Sequence, residues 1–425
     1  MTDTLVDAAT DTAFLAKLEA ARAASRTLAT TPTSVKDAAL TTIARAILNS
    51  ADRIITANRV DLENGRENGL GTGLLDRLAL SPSRIEGLAQ SLEQIAGLPD
   101  PVGVVTRGST LPNGIQLSQV RVPFGVVGAI YEARPNVTVD IAALALKSGN
   151  AAVLRGGSAA LHSNRELVAV IQSALEEVGL PEASVQTIDE FGRGGATALM
   201  RARGYVDVLI PRGSAQLIDS VVRDSTVPVI ETGAGVVHIY IDESADAARA
   251  AAIVHNAKVQ RPSVCNAVET VLVHAGAVDR VLPGVVEALR ADGVTIHAEP
   301  RAASVIDGAV PATDEDFAIE HMSLDLTVKV VDDLDEAIDH IRRYSTKHTE
   351  SILTNDLARA ERFLAEVDSA VVMVNASTRF TDGGEFGFGA EVGISTQKLH
   401  ARGPMGLPEL TSTKWIVRGT GQVRG

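Results

Sequence analysis

Residues Lys258 to Thr270, KVQRPSVCNAVET, contain the one cysteine of a 425-residue chain, in a setting suited to nucleophilic chemistry. Pro262 should end the helical run ADAARAAAIVHNAKVQR (245–261), and the alternating VETVLVH that follows reads as a strand. Cys265 is therefore expected on the turn between them. Lys258 and Arg261 would favour its thiolate. An ordinary thiol, with a pKa near ~8.5, is only a few per cent ionised at neutral pH. Lowering it to ~7 takes about 2 kcal/mol, within reach of one or two nearby cations. The competing reading is a small inert hydrophobe, the commoner fate of a lone cysteine.

Two further stretches could hold phosphate. VLRGGSAALH (153–162) and LIPRGSAQLI (209–218) each run from an apolar strand through Arg-Gly into a helix start. Backbone N–H groups and the helix dipole at Arg155-Gly156 and at Gly213 suit an anion, and Ser158 and Ser214 add hydroxyl donors. The plainer alternative is that these glycines only permit tight turns. The GxGxxG fingerprint of ordinary dinucleotide-binding folds is absent. The nine histidines are scattered, with no HExxH and no cysteine partners, so no zinc site is expected. His340 and His348 are expected to make local hydrogen bonds, and no GxSxG elbow is present.

The elements that must position these residues form a repeating series. The first hundred residues read as helix upon helix. SVKDAALTTIARAIL has Ser34 as an expected N-cap, and SPSRIEGLAQSLEQIAGL has Ser81 as N-cap with Pro82 in the first helical position. STLPNGIQLSQVRVPFG then carries Asn113-Gly114 between short alternating runs, a hairpin signal. From Gly125 to Asp242 the compact runs VVGAIYEA, AAVLRGG, SVQTID, VDVLIPRG and VPVIETGAG alternate with helical ones, the mark of a parallel doubly wound sheet. A second α/β series has VETVLVH, VTIHA, LTVKVVDD, ESILTND and AVVMVNAS as strands, and the chain closes on the strand-like TSTKWIVRGTGQV.

Composition narrows the class. The chain is 45% hydrophobic, 22% charged and only 3% aromatic, as expected of α/β layers. A formal net charge of −14 argues against nucleic acid or an anionic membrane as partner. One cysteine allows no internal disulfide, and MTDTLVDAATDTAFLAKL has no basic segment leading into an apolar core, so a cytoplasmic protein without a signal peptide is expected.

Four stretches together, YEARPNV (131–137), VIETGAG (229–235), KVQRPSVCNA and FGFGAEVGISTQKLHARGPMGL (386–407), resemble the γ-glutamyl phosphate reductases of the aldehyde dehydrogenase superfamily, and VDDLDEAIDHIRRYSTKHTESI adds to the likeness. The resemblance covers nearly the whole chain. It implies an aldehyde dehydrogenase-like α/β fold with two doubly wound α/β domains and a small β oligomerisation arm. The expected division is 1–103 with 122–230 for nucleotide binding, 231–398 for catalysis, and 104–121 with 399–425 for the arm and C-terminal segment.

The same resemblance implies site residues. Cys265 corresponds to the nucleophile, Asn136 to the amide that stabilises the oxyanion, and Glu231 to a glutamate that activates water in aldehyde-oxidising relatives. Gly213 and Ser214 would face the cofactor pyrophosphate. Arg155 stands where many relatives have a lysine near the adenosine ribose, and an arginine there can grip a 2′-phosphate bidentately. NADPH is the expected cofactor, with Arg155, Gly156, Ser158, Gly213 and Ser214 binding it. Arg134, Arg261 and Arg402 are expected to bind substrate anions and Glu132 the ammonium. The implied reaction reduces an acyl phosphate through a cysteine thioester. A homo-oligomer, functionally coupled to a glutamate 5-kinase, is implied as well. Rival readings are an acid-producing or CoA-acylating aldehyde dehydrogenase and a non-catalytic scaffold on this fold.

Overall fold

A computed structural model describes residues 12–424. The first eleven residues, part of the stretch read above as lacking a signal peptide, lie outside the described residues. No helix among the described residues is long and apolar enough to cross a membrane. The chain divides into two compact units, Met1–Glu231 with Gly387–Gly393 and Met405–Gly425, and Thr232–Phe386 with Ile394–Pro404. Residues 387–393 thus group with the first unit and 399–404 with the second, which differs from the expected division.

The first unit opens with the helices Thr12–Leu28, Thr33–Asn49, Ala51–Glu67, Thr72–Leu78 and Pro82–Gly97. Ser81 caps the last of these: its hydroxyl accepts from the Arg84 N–H at 3.2 Å, and Pro82 supplies the fixed φ of the first turn. Ser34 is not a cap. The helix begins one residue earlier, after Pro32, whose extended backbone makes the entry with no side-chain bond.

A three-stranded antiparallel sheet follows. Val105–Thr110 (β1) and Gln116–Pro123 (β2) form a hairpin around Asn113-Gly114, with Gly114 at φ +86°, a region that favours glycine. The far C-terminal strand Thr411–Arg418 pairs along the whole of β2, from Thr411 opposite Pro123 to Arg418 opposite Gln116.

The core of the first unit is a four-stranded sheet of Val126–Tyr131 (β3), Ala151–Arg155 (β4), Val185–Thr187 (β5) and Val208–Arg212 (β6). Its order is β5-β4-β3-β6 and every pair is parallel. All six residues of β3 are buried, as a strand covered on both faces requires. The chain winds outward from β3 to β5 and returns on the other side of β3 as β6. The order therefore reverses between β3 and β6, the place where open α/β sheets bind ligands at their carboxyl ends.

VPVIETGAG does not form the expected fifth strand. Only a single bridge joins Leu209 to Val229, because Pro228 lacks an N–H and the glycines after Glu231 open the backbone into a loop. The strand the sequence reading passed over comes next. Val237–Ile241 (β7), wholly buried, lies inside the second sheet.

That sheet also holds Val268–His274 (β8), Thr295–Ala298 (β9), Val310–Pro311 (β10), Asp325–Val331 (β11), Thr349–Leu353 (β12) and Val371–Val374 (β13). It runs β10-β9-β11-β8-β7-β12-β13, parallel throughout. Ile239, Ile241, Val271, Val273, Val328 and Val330 carry its main apolar core against the flanking helices.

Candidate active site

In the second unit the helix Ala247–Val259 is capped by Asp246, whose carboxylate accepts from the Arg249 N–H at 2.8 Å. Its exit delivers the chain through Arg261 and Pro262 to the turn that precedes β8. The Ala267 N–H donates to the Val264 carbonyl at 3.0 Å, so Cys265 rides a tight turn at the N-terminal edge of the parallel sheet, half-buried.

Two neighbours hold that turn. Val237 pairs with Val268, which brings the loop before β7 alongside the loop before β8. A side chain at Gly235 would overlap the Cys265 carbonyl oxygen, so only glycine allows this approach. The Gly235 N–H in turn donates to Glu320 at 2.9 Å. On the other side, buried Asn266 donates to the Thr381 carbonyl at 2.8 Å and accepts from the Arg379 guanidinium. Arg379 Nε donates to Gln260 at 2.9 Å, which spans the exit of the helix and the turn.

The cation beside the thiol differs from the expected one. Lys258 is fully buried and its ammonium lies 2.7 Å from Glu269, also fully buried. Burial pushes the Glu269 carboxyl up to about 7 despite the pull of Lys258, and burial lowers the ammonium in return. Lys258 therefore neutralises Glu269 beneath the turn and is not available to the thiol. Arg379 takes that place. Burial lowers its affinity for a proton; Asp382, Cys265 and Glu385 act to raise it, and Arg261 to lower it further. The segment STRF carries no pattern that marks Arg379 in the sequence, and only the fold returns it to the nucleophile turn.

Arg402 donates to Asp368 at 2.9 Å, and Lys398 pairs with the same carboxylate. One carboxylate thus serves two cations and leaves a net positive charge, while the Arg402 Nε is buried without a partner. Arg261 is exposed.

In the first unit the chain after β3 runs through Glu132 and Arg134 into the helix Pro135–Lys147. Asn136 sits in its first turn, exposed, and its amide donates to Asp140 at 3.1 Å. Glu132 is committed elsewhere than expected. Its carboxylate accepts from the Ser214 N–H and from the Ser214 hydroxyl, both at 2.8 Å, while Ser214 itself caps the helix Ala215–Asp224 by accepting from the Leu217 N–H at 3.4 Å. An ammonium-binding role for Glu132 would compete with these two bonds. A Cβ at Gly213 would stand 2.7 Å from the same carboxylate, the far end of a flexible side chain that would have to shift.

Arg155 ends β4 next to this crevice. The Gly156 N–H donates to Asp189 at 2.7 Å, and Ser158 opens the short turn that leads into the helix Leu161–Glu177. Asn164 joins Thr138 to Asp189, and Tyr131 bonds Thr138 at 2.6 Å, so buried polar groups brace the turn from below. Arg155 Nε is buried without a partner, and burial, together with Arg193, lowers the guanidinium's proton affinity while Asp189 raises it. The orphaned Arg155 donor and the nearby Arg193 fit a phosphate of a dinucleotide, whereas the start of the helix Ala215–Asp224 is already occupied by the Glu132 carboxylate.

The profile of the aldehyde dehydrogenase family matches residues 4–308. A γ-glutamyl phosphate reductase from Leifsonia xyli is 68% identical over 98% of this chain and 99% of its own length. One from Thermobifida fusca is 58% identical over 96% of this chain and 97% of that protein. Among solved structures, the γ-glutamyl phosphate reductase of Thermotoga maritima aligns with a TM-score of 0.95 at 47% identity, covering 97% of this chain and 100% of that one.

Proposed function

The chain belongs to the γ-glutamyl phosphate reductases of the aldehyde dehydrogenase family, and from that premise we propose how its residues divide the work. It is an oxidoreductase that reduces L-glutamate 5-phosphate to L-glutamate 5-semialdehyde with release of phosphate, the second step of proline biosynthesis from glutamate. A reduced nicotinamide cofactor supplies the hydride.

Cys265 attacks the acyl phosphate carbonyl and expels phosphate, which leaves a thioester on its sulfur. After hydride delivery the tetrahedral carbon collapses to the aldehyde and returns the Cys265 thiolate. The Asn136 amide and the Cys265 backbone N–H steady the negative oxygen of both additions. Glu231 carries no obligatory step, since neither thiolate attack nor hydride delivery needs a base that activates water. Hydrolysis would waste the thioester, and a tenfold advantage of reduction over it corresponds to only ~1.4 kcal/mol between barriers.

The observation behind this reading is the half-buried Cys265 on a turn closed by Gly235 and Asn266, with the Arg379 guanidinium on Asn266. The test is a pair of variants. Cys265→Ala should abolish reduction while cofactor binding stays within a few-fold, and Glu231→Gln should keep substantial reduction. An alanine variant that still turns over would end the covalent mechanism. A Glu231→Gln enzyme as dead as Cys265→Ala, folded and binding cofactor, would give Glu231 an essential proton.

NADPH is the preferred cofactor in this reading, because the orphaned Arg155 Nε and nearby Arg193 suit a 2′-phosphate. Equal kcat/KM with NADH would remove the preference. The enzyme acts in the cytoplasm, and a labile acyl phosphate favours hand-over from the kinase that makes it. Equal proline precursor flux with a free and a co-purified kinase would argue against that coupling.

A further inference from the structure

Two guanidinium groups attend the nucleophile turn, and neither serves an ion pair. Arg379 is fixed by Gln260 at 2.9 Å and by Asn266, both through neutral side chains. Asp382 and Glu385 act on it only through space, while Arg261 opposes it. Most other arginines of this unit contrast with this. Arg301, Arg342, Arg359, Arg362 and Arg402 each meet a carboxylate, whereas Arg280 and Arg290, like Arg379, donate to neutral acceptors. Neutral hydrogen-bond partners fix the direction of Arg379 without forming an ion pair with it, as an anion seat requires.

We propose that Arg379, with Arg261 beside it, binds the phosphate of the acyl phosphate substrate and receives it as the leaving group. The proposal rests on Cys265 being the nucleophile and specifies which anion of the substrate meets which cation. The phosphate is attached directly to the carbon that the sulfur attacks, whereas the α-carboxylate stands at the other end of the carbon chain. A cation whose field acts on the sulfur therefore serves the phosphate.

The step balances. The S–C bond forms, the tetrahedral adduct collapses, and the C–O bond to phosphorus breaks with its electron pair leaving on the phosphate. The proton that the thiol gives up and the one that the departing phosphate takes cancel. No electrons are exchanged until hydride arrives. Arg379 meets more negative charge on the departing phosphate than on the bound ester, so its pull strengthens as the bond breaks.

The reverse reaction isolates this contact, since inorganic phosphate is then a separate substrate. Glutamate semialdehyde, the oxidised cofactor and phosphate are varied independently with Arg379→Gln and Arg379→Lys. The expected result for Arg379→Gln is a phosphate KM raised about tenfold or more, with the semialdehyde KM within about two-fold and Arg379→Lys in between. Inorganic phosphate should also slow alkylation of Cys265 by iodoacetamide in the parent and not in Arg379→Gln, a readout independent of turnover.

An unchanged phosphate KM together with intact phosphate protection would overturn the proposal. A rise in the semialdehyde KM instead would assign Arg379 to the α-carboxylate and also overturn it. Failure of the nucleophile assignment is distinguishable: Cys265→Ala would then retain turnover, while the phosphate KM of Arg379→Gln could still be read.

Discussion

The Asn136 amide donates to Asp140 at 3.1 Å across one turn of the helix Pro135–Lys147. A carboxylate can only accept, so this bond fixes which end of the amide is nitrogen and leaves the second N–H free to point elsewhere. Asp140 thereby positions the group proposed to steady the oxyanion.

Asp140→Asn can donate as well as accept, so the amide loses its fixed sense. The variant should lose about tenfold in kcat with KM little changed, less than the hundredfold or more typical of deleting an oxyanion donor. Burial pushes the Asp140 carboxyl up to about 6, against the pull of Asn136 and Arg212. In the parent, activity should therefore fall as pH drops through about 6, where the carboxylate is protonated. Steady-state rates from pH 5 to 8 decide this: the same kcat and the same acid limb in Asp140→Asn would remove the role.

The Glu132 carboxylate occupies the start of the helix Ala215–Asp224. A pyrophosphate bound there must displace or repel it. Glu132→Gln should then tighten cofactor binding a few-fold, about 0.5–1 kcal/mol, in a fluorescence titration at low salt. Weaker binding would mean that the carboxylate helps hold the cofactor or that its cap is indispensable.

Gly235 touches the Cys265 peptide with no room for a methyl group. Since backbone rather than a flexible side chain stands in the way, Gly235→Ala must move one of the two loops. A loss of more than about 2 kcal/mol is expected, together with slow alkylation of Cys265. Urea unfolding and a thiol-reactivity assay would show it. Parent stability with parent reactivity would mean that the loops yield freely.

His340 and His348 are buried at 5% and 0% exposure, and each has an Nε2 without a partner. Burial holds His340 down to about 2, with His238, Lys329 and Arg343 adding to it, and His348 to about 4. Both stay neutral in the fold while the unfolded chain binds protons below about 6.5, so stability rises with pH across that window and falls on acidification. The slope is at most about 1.4 kcal/mol per pH unit for each histidine below pH 6. Denaturant midpoints at pH 7 and 5 measure it. A double variant, His340→Gln with His348→Gln, that keeps the full parental acid loss would assign the loss to other groups.

β1 is exposed along its length, and in the C-terminal strand Trp415 and Val417 are 51% and 60% exposed. Each flanks β2 and leaves an outer edge of backbone groups among the described residues, an aggregation hazard unless another chain covers it. Deleting the residues after Leu410 should give monomer or aggregate. A truncated protein with the parent's mass in light scattering would show that the sheet is not an interface.

Local signals were enough for much of this protein. Ser81-Pro82 specifies a helix start because both devices act within four residues, and Asn113-Gly114 specifies a hairpin because one left-handed glycine closes it. The compact runs of β3, β4 and β6 read as parallel strands since burial on both faces leaves no alternation, while β8 reads as a strand from its alternating VETVLVH. The long motifs around Tyr131, Glu231, Cys265 and Phe386 carry the family. Tertiary structure decided what depends on partners distant in sequence. Lys258 looks like a cation for the thiol until β8 brings Glu269 against it, and the desolvation of both then ties them together. Glu132 looks available until the sheet order sets β6 beside β3 and aims the Ser214 N–H at it. Arg379 lies 114 residues from Cys265 and carries no motif; a hydrogen bond to Asn266, made possible only by the return of the chain after β13, gives it a position beside the nucleophile turn. Charge can be read residue by residue, but its use is set by which groups burial leaves it to face.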